Sequence, residues 1–404
     1  MTIRMNPINS TGTALSLLSA AFSGHAGAMP PALEGVPQKS PLTSFVIQPK
    51  RIVWVSDRGV ENSANLLKNH RGQAVLSEPV PPLVIKPGGA IVIDFGMEIT
   101  GSVELFTPDS QPKGASIRIR FGESVAETMA DIGQRGAQND HALRDQVVKL
   151  PWLGKTAVGP SGFRFVRIDN ADPKIDVQLS EVRAMLTLRD IAYVGSFKCS
   201  DERLNRIWET GAYTVHLNMQ DYLWDGVKRD RLVWLGDMHP EVSVINSVFG
   251  FNEVVPKSLD MTRDVTPVTA WMNGISSYSM WWILIHDEWY LHHGNLDYLK
   301  QQQPYLTALL KRLATFVDAG GKENLDGMRF LDWPTAWLSK NVLGITPVAP
   351  GCAKVKITPH LGRLAWAEGT YPTPKGPIHV RHDKQPDGTI KTTVKLPEGI
   401  VRVK

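Results

Sequence analysis

The chain has 404 residues, 42% of them hydrophobic and 21% charged, with a net charge of +4. That length exceeds what one hydrophobic core serves, so two or three domains are expected, and the ordinary composition excludes a fibrous or disordered chain. With the basic residues scattered along the sequence, it also argues against a nucleic-acid partner and a polybasic membrane anchor.

In chain order, residues 1–28 read as an export signal. Arg4 supplies a thin positive start, Ala14 to Phe22 a short apolar core, and Ala26-Gly-Ala28 small residues for a signal peptidase. A secreted or periplasmic protein is expected. The apolar run is far short of the ~20 residues that span a bilayer, and no later segment is long and apolar enough. A Pro-rich linker covers 29–43.

Residues 44–195 carry strand-length apolar runs bounded by Gly, Pro, Asp and Ser clusters. The expected strands are 52–55, 83–85, 90–95, 102–106, 116–121, 163–168 and 175–179. Many short strands at near-regular spacing predict an antiparallel β-sandwich of the jelly-roll kind. The period then changes. Leu204, Ile207, Trp208, Gly211 and Val215 share one helical face, with Ser200 or Asp201 as N-cap, and further helices are expected at 237–250, 276–293 and 296–318. A helical domain therefore fills 196–336. From 337 to 404 strands return, with a hairpin turn at Asp387-Gly388, predicting a second β-sandwich. The fold class is multidomain α and β: sandwich, helices, sandwich.

Cys199 and Cys352 are too few for a disulfide framework and read as buried thiols. His239, His286, His292 and His293 lack the i, i+4 spacing of a helical metal pair and read as surface or capping residues, so no metal or other cofactor is expected.

The densest chemistry lies in Asp225-Gly-Val-Lys-Arg-Asp-Arg-Leu-Val-Trp-Leu-Gly-Asp237. Paired carboxylates beside aromatic walls suit glycoside hydrolysis, where one carboxyl must keep a proton near neutral pH. Tyr222, Trp224 and Trp234 offer flat faces to sugar C–H groups. Lys228, Arg229 and Arg231 can fix carboxylates or bind hydroxyls. An Arg/Asp network bracing an interdomain corner explains the same composition equally well.

Asp225-x4-Asp230-x3-Trp234-x2-Asp237 resembles the catalytic loop of the bacterial α-L-rhamnosidases, glycoside hydrolase family 78. Ile93 to Gly101, Arg120 to Ser124 and Pro350 to Pro359 resemble the sandwiches that flank the family's (α/α)6 barrel, so the likeness runs over 45–404. It implies Asp230 as general acid, where the family usually has Glu. It implies Asp225, Arg229, Trp234, Asp237, Asp332 and Trp333 as substrate-binding residues, a rhamnose-containing oligosaccharide or glycoside as substrate, and inversion at the anomeric carbon. The family's base, a Glu in a late Trp-Glu segment, has no counterpart. Phe330-Leu-Asp-Trp333 reads as mid-barrel sequence, and Pro334 to Ser339 as the barrel's exit, fused with the intervening helices missing. An incomplete barrel with exposed apolar faces is expected. Glu288 is a weak stand-in base. Two other readings stay open: a carbohydrate-binding remnant without turnover, and an (α/α)6 glycosidase for another sugar.

Overall fold

Alternation of apolar and polar side chains gives the first part of the chain its strands. They are β1 (Leu42–Ile47), β2 (Arg51–Val55), β3 (Val60–Glu61), β4 (Leu83–Ile85), β5 (Ala90–Thr107), β6 (Ser116–Gly122), β7 (Asp145–Lys149), β8 (Gly154–Asn170), β9 (Val177–Leu179) and β10 (Glu181–Arg189). The computed structural model describes residues 39–134, 143–318 and 334–404. The export segment 1–28, most of the 29–43 linker, Asp332 and Trp333 fall outside the described residues. Seven strands pair antiparallel in the order β1-β10-β5-β8-β6-β7, with β2 added against β5, and β3-β4-β9 form a second sheet. Ile91, Ile93, Phe121, Phe163 and Val166 fill the space between them.

The runs expected at 90–95 and 102–106 are one strand, β5. Gly96 and Gly101, at φ +84° and +154°, let the backbone bend there, and the register with β8 shifts on either side. At Gly101 a Cβ would meet the Met185 carbonyl oxygen at 1.9 Å, so no other residue fits. Asp94, fully buried beside that bend, accepts from Arg51 Nε and Arg164 Nε at 2.9 Å and from the Gly96 amide at 2.7 Å. Burial pushes its carboxyl up, but these donors outweigh it and hold it down at about 2. Its folded pKa is depressed, so its stabilisation is present above the unfolded value near 4 and lost as pH falls towards 2. Asp94→Asn should lower the melting temperature at pH 6 and shrink the difference from wild type below pH 3. An unchanged pH 6 melt would refute this.

A short helix α1 (Val125–Met129) follows β6, capped by Ser124, whose side chain accepts from the Glu127 amide. The helical part comprises α2 (Glu202–Asn218), α3 (Leu235–Val248), α4 (Val254–Val265), α5 (Ser276–His293), α6 (Leu296–Asp318) and the single turn α7 (Pro334–Trp337), which runs into a π-helical turn at Leu338–Val342. Asp201 caps α2, accepting from the Arg203 amide at 2.8 Å. Helix α4 was not expected from the sequence. Pro256 interrupts its apolar run, but it sits in the first turn, where no intrahelical donor is needed. Val265, Leu296, Leu310 and Trp337 are exposed on this part.

The segment expected to open the helical domain instead begins with a strand, β11 (Ser196–Cys199). The remaining strands are β12 (Ile345–Pro347), β13 (Lys354–Ile357), β14 (Trp366–Tyr371), β15 (Ile378–Lys384), β16 (Ile390–Lys395) and β17 (Val401–Val403). They form sheets ordered β11-β14-β15-β16 and β12-β13-β17, so β11 joins a sheet otherwise drawn from beyond residue 365. One apolar core, with Trp208, Val244, Trp282, Trp289, Leu343 and Val380, unites helices and C-terminal sheets. Both cysteines are buried in it as free thiols. Two of the three α5 histidines are not surface residues. His286 and His292 are buried and bond back to the carbonyls of Trp282 and Glu288, which satisfies one ring nitrogen of each inside the helix. His292 also bonds the Tyr371 hydroxyl.

Candidate active site

The connection from α2 to α3 is held by the N-terminal sandwich at three points. Val227 is buried in the sandwich core. Lys228 Nζ reaches Glu123 Oε2 at 2.7 Å and Glu127 Oε1 at 3.1 Å. Arg231 Nη1 donates to the Pro160 carbonyl at 3.2 Å. The loop closes on itself: the Asp225 amide donates to the Leu232 carbonyl at 3.0 Å, and the Leu232 amide donates to Asp225 Oδ1 at 2.9 Å. Between those ends Asp230 and Arg231 stand at φ +56° and +55°, two successive non-glycine residues in the left-handed region. Such strain persists where surrounding contacts over-determine the backbone, and it gathers at functional sites.

Asn273 fixes the start of α3 from the neighbouring turn, donating to the Val233 carbonyl at 3.0 Å and accepting from the Leu235 amide at 3.2 Å. Trp234 occupies the cap position, edge-on to Tyr278 at 6.0 Å, with its indole nitrogen buried and unpaired. Asp237 lies in the first turn of α3, and Glu241 lies four residues on, over the same helix face.

These side chains share one field. Burial pushes the Asp225 carboxyl above the ordinary aspartate range, and the charges of Asp230 and Asp237 push the same way. Loss of surrounding water raises Asp237, helped by Asp230. Glu241, 1% exposed, is pushed well above the usual range by burial; Asp237 and Asp225 add to this, against a 2.7 Å hydrogen bond from Asn218. Its second oxygen has no partner. Tyr278 is raised by burial and then by Asp237 and Asp225. A group of carboxyls that resists full ionisation is equipped to hold a proton at neutral pH.

The structure thus brings Asp225, Asp230, Trp234 and Asp237 together. Arg229 is exposed on the same loop, with no ion-pair partner among the described residues. Asp332 and Trp333 lie outside the described residues. Glu241 was missed in the sequence; the Asp237-x3-Glu241 spacing at a helix start was the signal that could have found it. Glu288 accepts from Ser243 Oγ at 2.9 Å and lies 3.5 Å from His239 Nε2. His239 and Ser243 are displaced about 200° around α3 from Asp237 and Glu241, so Glu288 serves another side of the helix. Trp281 and Trp282 are buried core residues. Lys257 Nζ covers the Tyr222 ring at 4.3 Å.

Residues 192–348 match the bacterial alpha-L-rhamnosidase 6 hairpin glycosidase domain, and 344–401 match the bacterial alpha-L-rhamnosidase C-terminal domain. An alpha-L-rhamnosidase of Formosa agariphila is 29% identical over 159 residues, 37% of this chain and 16% of that protein. Another, from Alteromonas sp., is 24% identical over 260 residues, 60% of this chain and 27% of that protein. Among solved structures, the GH78 family rhamnosidase of Bacillus sp. GL1 superposes with a TM-score of 0.62 at 17% identity, over 84% of this chain and 55% of that one. The alpha-L-rhamnosidase of Dictyoglumus thermophilum gives 0.61 at 15% identity, over 89% and 58%. These two share the fold. The matched region spans under two thirds of the length of each of these relatives.

Proposed function

We propose that this chain, an α-L-rhamnosidase-like protein of glycoside hydrolase family 78 in its domains and fold, hydrolyses terminal α-L-rhamnosyl residues with inversion. The gathering of Asp225, Asp230, Asp237 and Glu241 around the start of α3 carries this reading. Asp230 gives its proton to the departing glycosidic oxygen as the C–O bond breaks, and a water attacks the anomeric carbon from the opposite face. Inversion places a second carboxylate ~6.5–9.5 Å from the acid to take the water's proton; with no described carboxyl assigned to that role, the attacking water loses its proton to solvent. Asp225 and Asp237 accept hydrogen bonds from sugar hydroxyls, Arg229 donates to them, and Trp234 faces the ring C–H groups. Asp332 and Trp333 belong to this set by the resemblance alone. Burial pushes the Glu241 carboxyl well above the usual range, which disfavours a third negative charge beside Asp225 and Asp237. Export follows if residues 1–28 act as a signal.

The engagement of Glu288 with Ser243 and His239 favours a second reading, in which the carboxylate cluster binds rhamnosides without turning them over. An aryl α-L-rhamnoside separates the two, with NMR of the first-formed sugar. Release of aryl alcohol with β-rhamnose appearing first is the expected result. Quenching of tryptophan fluorescence by rhamnose with no release supports the binding reading. Neither signal would eliminate both.

A further inference from the structure

The C-terminal region is far more basic than the chain that carries it. Residues 337–404 hold eleven lysines and arginines against four acidic residues, a net charge of +7, whereas the whole chain carries +4. Cations that look scattered in sequence converge where strand register lines them up. Lys198, Glu368, Arg381 and Thr393 stand side by side across β11, β14, β15 and β16, and Thr370, His379 and Lys395 form the adjacent row. Their strand neighbours Ala367, Tyr371, Ile378 and Val380 point into the core, so this row-bearing face of the sheet turns outward.

Two carboxylates on the face, Glu368 and Asp383, are both taken by Arg381, at 2.7 and 2.8 Å. Arg381 is in turn seated over the Trp366 ring, its guanidinium carbon 5.1 Å from the centroid. Lys198 and Lys395 are exposed and form no ion pair among the described residues. They stand on the two outermost strands, three strand spacings (about 14 Å) across and one row along, on either side of a depression of about 330 Å³ floored by Gly369. That volume suits a small ligand or one unit of a chain. Thr370 and Thr393 add hydroxyls between the cations.

We propose that this face binds an anionic polysaccharide, whose carboxylate or sulfate groups pair with Lys198 and Lys395 while its ring hydroxyls meet the threonines. Such a site is separate from the carboxylate cluster and would hold the protein on an acidic glycan. A long polyanion fits because the two cations lie at opposite edges of one open face, which a single small anion cannot bridge.

Native electrophoresis of the full chain through gels containing polygalacturonate, neutral galactan or duplex DNA tests this. Retardation by polygalacturonate alone is expected, weakening as salt rises. The double variant Lys198→Glu with Lys395→Glu should weaken binding about tenfold or more, with melting temperature and rhamnoside turnover unchanged. Lys113→Glu with Lys174→Glu, the same charge change on exposed lysines of the N-terminal sandwich, should bind as wild type. Wild-type migration unaffected by polygalacturonate overturns the proposal, as does equal loss in both double variants. Equal retardation by DNA would assign the face to polyanions in general and overturn the polysaccharide reading.

Discussion

Asp230→Asn is expected to lower turnover of an aryl α-L-rhamnoside by about 10²–10⁴-fold, with rhamnose affinity changed little. The substitution is a clean one because of the backbone. Asp230 sits at φ +56°, and Asn is among the few residues that adopt this conformation readily. The loop keeps its shape while the acidic proton disappears. A rhamnoside with an alkyl leaving group should lose more than the aryl one, since a poor leaving group depends more on protonation. Glu241→Gln is the contrasting variant. Burial pushes the Glu241 carboxyl well above its usual range and favours the neutral form, so an uncharged isostere should leave turnover within a fewfold and raise stability at alkaline pH. If Asp230→Asn turned over both substrates like wild type while Glu241→Gln failed, the proton would belong to Glu241. The roles given to the two carboxyls would then be reversed.

How much of this could be read in the sequence depends on how local the signal is. Runs such as Leu83 to Ile85 and the helix capped by Asp201 declare themselves through period and capping chemistry, and they fold where expected. Strands β1, β10 and β14 did not stand out. The first lies at the end of a proline-rich stretch, and the other two alternate apolar residues with charged or small ones, a weak signal until sheet partners are known. Strand β11 pairs with β14, some 170 residues away, which no local pattern encodes. At the site, Asp225, Asp230, Trp234 and Asp237 were legible because they are close in sequence and charged beside an indole. Glu241 was not, since a lone Glu within a helix reads as a solvated residue until packing buries it. The basic sheet face was hidden for the same reason: its lysines come from strands that only register brings together.

Lys228→Met should destabilise the protein by about 3 kcal/mol at pH 8 and slow turnover as the loop loosens. The loop carrying Asp230 is tied to the sandwich through this lysine, which stands among Glu98, Glu123 and Glu127. Glu127 is nearly buried and would lose this cation while keeping Arg144 at 3.6 Å and the Glu123 amide at 2.9 Å. Burial, and then Glu123, push the Glu98 carboxyl up to about 8, and the Lys228 charge opposes that push. Its folded pKa is raised, so the stability it contributes is fully present below its unfolded value near 4.5 and is lost as pH rises through about 8. Wild type should therefore lose stability on the order of 3 kcal/mol from Glu98 between pH 5 and pH 8. Glu98→Gln should flatten that slope in urea melts. Without Lys228 the Glu98 carboxyl moves higher still, so the deficit of Lys228→Met widens with pH, and adding Glu98→Gln recovers part of it. Val227, seated in the sandwich core beside Gly162, keeps the loop from detaching altogether, so turnover should fall rather than vanish. Equal pH slopes in wild type and Glu98→Gln would mean that Glu98 ionises freely, and the sandwich would then hold the loop by packing rather than by charge.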